Sequence, residues 1–178
     1  MIEDSFNILK TLVSQGDKDA FAMLFRKYYP KCVDFLTAIL GEEATAEDIA
    51  QDVFMKLWRK RAEFNEIRSL DDYIFKACKF AALDHLKSSY VKNVSVGLDS
   101  DVSGVADPES ADFRVESREV AERLNRIMSG MSRNRRIIFI MSRILGLSDI
   151  EIAERLGISY KTVANQISLA GKEIKEKI

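Results

Sequence analysis

A chain of 178 residues has room for one ordinary domain or two small ones, which excludes a large multidomain enzyme. Its 47% hydrophobic and 31% charged residues are those of a folding chain, and only 8 glycines and 2 prolines leave too few turn formers for a many-stranded sandwich or barrel. The net charge of −1 excludes a uniformly basic nucleic-acid binder, yet residues 129–178 carry +4. Met1-Ile2-Glu3-Asp4 opens no secretory signal, and no stretch approaches the roughly 20 apolar residues of a membrane span, so a cytoplasmic protein is expected. Cys32 and Cys78 lack C-x-x-C spacing and sit in apolar helical patterns, which predicts buried, reduced thiols.

Over residues 5–90 apolar residues recur at helical spacing, with breaks expected near Gly16, Pro30, Gly41 and over 64–69; four helices are predicted. In 44–61, Ala50, Phe54, Leu57 and Trp58 form one stripe and Ile49 and Val53 widen it. Acids lead this helix and bases trail, in keeping with the helix dipole. A further helix over 70–88 carries Tyr73, Ile74, Ala77, Phe80, Ala81 and Leu83 on its apolar side. The Ser-, Asp- and Gly-rich stretch 88–104 has no helical stripe and is predicted to be a linker; the alternative, one short strand from its valines, would have nothing to pair with. From Pro108 helical periodicity returns with Phe113, Val120, Leu124 and Ile127, and continues through Arg135 to Leu145.

The densest local signals lie near the end. Ser148-Asp149-Ile150-Glu151 fits the S-x-x-E capping box, so a helix starts there, with Ile150, Ala153 and Leu156 as its apolar face and Gly157 suited to the left-handed residue that ends it. Ser159 caps a second helix, whose Val163, Ile167, Ala170 and Ile174 mark a buried seam. Two short helices joined by such a turn make a helix-turn-helix, whose second helix enters a DNA major groove. Away from the seam stand Lys161, Asn165, Ser168 and Lys172, flanked by Thr162 and Leu169, with Gln166 further round; Ser159 and Tyr160 open the helix. Asn and Gln bond adenine in bidentate fashion, Lys reaches guanine or phosphate, and Leu meets a thymine methyl. A plain helical hairpin with a solvated face is the alternative.

From Met131 onward, Arg135-Arg136-Ile137-Ile138-Phe139, Glu151-Ile152-Ala153, Leu156-Gly157-Ile158-Ser159 and Thr162-Val163 closely resemble the promoter-binding C-terminal domain of bacterial RNA polymerase sigma factors. Ala46-Glu47-Asp48-Ile49-Ala50-Gln51-Asp52-Val53-Phe54-Met55-Lys56-Leu57-Trp58 is similar to the helix by which these factors grip the polymerase clamp. Residues 73–87 are similar to the helix that handles the promoter element near the start site. Short length and a bare linker place the resemblance in the extracytoplasmic-function (ECF) group. The resemblance implies an all-α chain of two small helical domains, 1–90 and 110–178, on a flexible linker, 91–109. It implies core RNA polymerase and promoter DNA as partners, with an anti-sigma protein, often membrane-bound, and no cofactor or catalytic residue. Asp48, Gln51, Asp52, Lys56 and Trp58 are the implied polymerase contacts. Phe64, Asn65 and Arg68, in the position of the family's specificity loop, and Lys76, Lys79 and Lys87 are the implied contacts to the start-site-proximal element. Lys87 stands where family members often carry Arg and offers a point charge in place of a planar fork.

Two rivals come from other classes. A helix-turn-helix regulator that is not a polymerase subunit would need a sensory N-terminal domain, of which the sequence offers no pattern. A helical metal-dependent hydrolase would draw on Glu42, Glu43, Glu47 and Asp48, although acids at a helix start are ordinary dipole partners.

Overall fold

The computed structural model describes residues 2–96 and 126–177, and among them every regular element is helical. Four helices come first: α1 (Ile2–Ser14), α2 (Lys18–Leu40), α3 (Glu43–Arg59) and α4 (Leu70–Val96), with a 3₁₀ segment, Arg61–Glu66, between the last two. Later come α5 (Arg133–Phe139), which runs on as a π turn over Ile140–Ile144, then α6 (Asp149–Leu156) and α7 (Tyr160–Lys177). They form two compact units, Met1–Thr37 with Glu43–Ala81, and Ala38–Glu42 with Ala82–Ile178.

In the first unit α2 buries Leu24, Tyr28, Cys32 and Val33, α3 buries Ala46, Ala50, Val53, Phe54 and Leu57, and α4 buries Leu70, Ile74 and Cys78. Phe54 centres an aromatic cluster, with its ring 5.0 Å from Phe25 and 5.8 Å from Tyr29. Gly16, at φ 88°, ends α1 in the left-handed region, and Asp17 at once caps α2 by accepting from the Ala20 amide at 2.9 Å. Pro30 does not break the chain as its sequence predicts, because α2 continues straight through it. An interior proline costs about 3 kcal/mol, and the buried seam that runs on through Cys32, Val33, Leu36 and Ile39 outweighs that loss. The two cysteines are buried free thiols hydrogen-bonded to each other; that bond and then burial push the Cys78 thiol up.

In the second unit α4 reaches Val96, so the part of the expected linker up to that residue is helix. Leu83, Leu86, Tyr90 and Asn93 continue one buried face at spacings of three and four, and the Asn93 amide is satisfied by Asn134 and Arg133, each at 3.5 Å. The rest of that linker, and the helix expected through Phe113, Val120 and Leu124, lie outside the described residues. The run of α5 and its π turn buries Ile137, Ile138, Ile140, Met141 and Leu145. An α-helix keeps one stripe inward; the wider turn, closed by Leu145 N–H on the Ile140 carbonyl at 2.9 Å, turns more of this apolar run inward. On α6 the expected apolar position Ile150 is instead 60% exposed, and Ile152 joins Ala153 and Leu156 in the core.

Candidate nucleic-acid and partner interfaces

The helix-turn-helix is assembled by local bonds. Ser148 Oγ accepts from the Glu151 amide at 3.3 Å while the Ser148 amide donates back to Glu151 Oε2 at 2.8 Å, completing the capping box of α6. Gly157 ends α6 at φ 68°, and Ser159 Oγ caps α7 by accepting from the Thr162 amide at 3.1 Å. Val163 and Ala170 are buried as predicted, with Ile167 and Ile174 half-buried beside them. The opposite face presents Lys161, Thr162, Asn165, Ser168 and Lys172 to solvent, with Ser159 and Tyr160 exposed at its start and Leu169 half-buried on its flank. The first turn of α6 carries Asp149 and Glu151, whereas that of α7 carries no acid. The positive end of the α7 dipole is therefore left for an external anion such as a DNA phosphate. Gln166 departs from its expected place on this face: its Oε1 accepts from Arg135 Nε at 3.0 Å, and Arg135 also pairs with Glu173. It serves the α5–α7 packing, which the helical spacing alone did not reveal.

Around the 3₁₀ segment the predicted residues separate. Phe64, expected to face DNA, is wholly buried and edge-on to Tyr73 at 6.4 Å, so in this structure it anchors the loop from inside. Asn65 and Arg68 are exposed; Asn65 Nδ2 donates to Ser14 Oγ at 2.9 Å. Ser69 caps α4 through the Asp72 amide at 3.2 Å. On α4 Lys76 is exposed, Lys79 half-buried and, further along, Lys87 exposed. Phe80, read in the sequence as part of the apolar stripe, is 47% exposed with Lys76 Nζ 5.9 Å from its ring centre. An exposed aromatic beside a cation has the chemistry to stack on an unpaired base. At about 100° per residue it stands roughly opposite the buried Cys78 on α4, and hydrophobicity alone conceals that.

Asp48, Gln51, Asp52 and Lys56 all stand exposed on α3, and Trp58 is half-buried. The Trp58 ring packs 4.9 Å from Phe21, and the Arg61 guanidinium lies 4.5 Å above it. Trp58 also lines an open apolar cleft of about 420 Å³ with Lys18, Phe21, Phe25, Gln51, Phe54 and Met55. The α2 side of this cleft was missed from sequence, although Phe21 and Phe25 at i, i+4 were its signal. Among the described residues no group of three or more His, Cys, Asp or Glu is placed to hold a metal ion, and no helix is long and apolar enough to cross a membrane.

The family models match in the same places: Sigma-70 region 2 over residues 24–90 and Sigma-70, region 4, over residues 118–174. The chain is 26% identical over 176 residues to the ECF RNA polymerase sigma factor SigW of Bacillus subtilis, covering 93% of this chain and 92% of that one. It is also 26% identical over 173 residues to the ECF RNA polymerase sigma factor RpoE of Cereibacter sphaeroides, with 95% and 92% covered. The solved structure of CnrH in complex with the cytosolic domain of CnrY aligns over 96% of this chain and 94% of its own at 20% identity, with a TM-score of 0.44. The chain belongs to the sigma-70 family, in its ECF group, whose members bind core RNA polymerase and direct it to promoters.

Proposed function

We propose that the two DNA contacts and the polymerase contact of this sigma factor fall on separate surfaces. Lys161, Thr162, Asn165, Ser168 and Lys172 on α7, with Ser159 and Tyr160 at its start, read the upstream promoter element. Asn65 and Arg68, with Lys76, Lys79, Phe80 and Lys87 of α4, hold the start-site-proximal element as it opens. Asp48, Gln51, Asp52 and Lys56, with Trp58 and the cleft beside it, dock on core polymerase. The observation that carries this reading is the capped α7, whose solvent face is polar and basic and whose first turn is free of acids. Phosphate contacts set register while the Asn165 amide reads a base edge. Strand opening is then a binding event, in which flipped or unpaired bases exchange stacking in the duplex for stacking and charge on α4, with no hydrolysis by this chain.

The matched segments 24–90 and 118–174 support an N-terminal domain over 1–90 and a C-terminal domain over 110–178, with the expected connection over 91–109 opening on the last turns of α4 up to Val96. Work beside polymerase supports a cytoplasmic location, and membership of the ECF group supports an anti-sigma protein as its regulator, often membrane-bound. The test is gel filtration with sigma-free core polymerase at moderate salt, with Asp52→Arg as the paired variant. Comigration of the native chain, and affinity lowered about tenfold in the variant with unaltered circular dichroism, is expected. A folded chain that binds DNA but never comigrates would return the ordinary regulator, and unaltered affinity in the variant would remove Asp52 from the interface.

A further inference from the structure

The 61–68 loop is fastened from outside by α1. Lys10 is only 8% exposed, and its Nζ donates to the Ile67 carbonyl at 2.8 Å. Lysine is almost never buried to that extent unless paired, since an ammonium loses its water at a steep cost. The 3₁₀ segment ends at Glu66, and Ile67, its extended and half-buried C-cap, presents a carbonyl beyond the segment's own bonds. A charge-assisted bond from Lys10 does this from 57 positions away. Further attachments lie along the loop. Ser14 Oγ takes the Asn65 amide at 2.9 Å. Phe64 fills the core underneath. The loop is thus held from α1 at its middle and end, while Arg68 and one side of Asn65 remain outward. Residues 10–14 lie outside the matched segment 24–90, so this fastening is not part of the region 2 match.

We propose that Lys10 is a positioning residue for promoter recognition. By holding the Ile67 carbonyl, with Ser14 as its lesser companion, it fixes the loop so that Asn65 and Arg68 meet the start-site-proximal bases in one geometry. The inference rests on the reading of 61–68 as a DNA-facing loop. A long apolar side chain would fill the same space but leave the Ile67 carbonyl without this donor. The loop would then sample several shapes, and its contacts would average over bases.

The experiment uses the full chain reconstituted with core RNA polymerase and promoters selected by the native holoenzyme from a DNA library randomised over both elements. Lys10→Met is compared with Lys10→Arg, and amide exchange is followed across 61–68 in the free chain. For Lys10→Met, exchange in the loop should rise about tenfold, the factor a lost charge-assisted hydrogen bond supplies. Base preference at the start-site-proximal element should fall about fivefold or more, the scale of one base contact. Polymerase binding and upstream preference should not change, and Lys10→Arg should restore most of the lost preference. Preference unchanged in Lys10→Met overturns the proposal, as does a parallel loss of polymerase binding and of both preferences, which marks a purely structural lysine. Should Lys10→Met not fold, Ser14→Ala carries the test, with a two- to threefold loss expected from one neutral hydrogen bond and an unchanged preference overturning the clamp. Asn65→Ala and Arg68→Ala run in the same library separate the two readings. If they shift preference and Lys10→Met does not, the loop still reads DNA and Lys10 does not position it; if none of them does, both readings fall.

Discussion

In the helix-turn-helix the bonds that set the reading surface join residues three positions apart, Ser148 to Glu151 and Ser159 to Thr162; in the 61–68 loop they join residues 51 and 57 positions apart. The first kind forms with little loss of chain entropy, and the surface it shapes is regular helix. The second kind requires a long stretch of chain to be closed first, and the surface it shapes is an irregular loop with its own anchor in the core. One unit carries its proposed reader on an element that is stable wherever it is capped and packed. The other carries its proposed reader on a segment whose shape is inherited from the rest of the unit. Base preference at the two promoter elements should therefore respond to different classes of substitution, contact residues upstream and distant supports near the start site.

The largest effect expected is at the loop's anchor. Phe64→Ala removes a wholly buried ring and should cost about 3–5 kcal/mol in urea denaturation. A loss below about 1 kcal/mol, within the range of ordinary surface changes, would show that the loop does not depend on the core and would erase the contrast. Next comes the α7 face. Asn165→Ala should relax preference at one upstream base by about 1–3 kcal/mol, whereas Lys161→Ala should weaken all sequences alike and reduce the salt slope by about 1. Footprinting across a salt series distinguishes them, and no change in either would displace α7 as the reader.

This same contrast explains what the sequence disclosed. Ser148, Glu151, Gly157 and Ser159 announce their structure through neighbours, so the caps, the turn and the seam of α7 were legible residue by residue. Features set at a distance were not. Phe64 looks like any aromatic near a loop, and only its place against Tyr73 shows that it faces inward. Lys10 gives no sign of burial, because the carbonyl it serves is far along the chain. Gln166 sits at the edge of the polar face, and its partner Arg135 lies on another helix. The end of α4 was hidden by chemistry: Asn93 occupies a core position of the last turns, and a polar residue there interrupts the apolar stripe that would have extended the helix to Val96. Pro30 misled in the opposite direction, a strong local breaker overruled by the burial on either side of it.

Smaller effects sharpen the local half of the comparison. Ser148→Ala deletes one side of the capping box and should cost about 1 kcal/mol, read as a lower midpoint in thermal or urea unfolding. Base preference at the upstream element should be nearly unchanged, because α7 keeps its own cap at Ser159. A large shift in preference would mean that the two helices are set as one piece and that the local description is too narrow.

The smallest effect concerns His85, on the later half of α4. Neighbouring protein displaces part of its water, and Lys92 and Arg133 add positive charge, against which Glu42 acts in the other direction; together they hold the imidazole below its ordinary value. A histidine whose folded value is depressed favours the folded state in its neutral form. Its contribution is complete above the unfolded value of about 6.5 and is lost as pH falls through the lower folded one. The thermal midpoint of the native chain should thus drop slightly more between pH 7 and pH 5 than that of His85→Gln, which has nothing to titrate there. Equal drops would show that neither the lost water nor the two cations matter to the imidazole and that this end of α4 carries no pH dependence of its own.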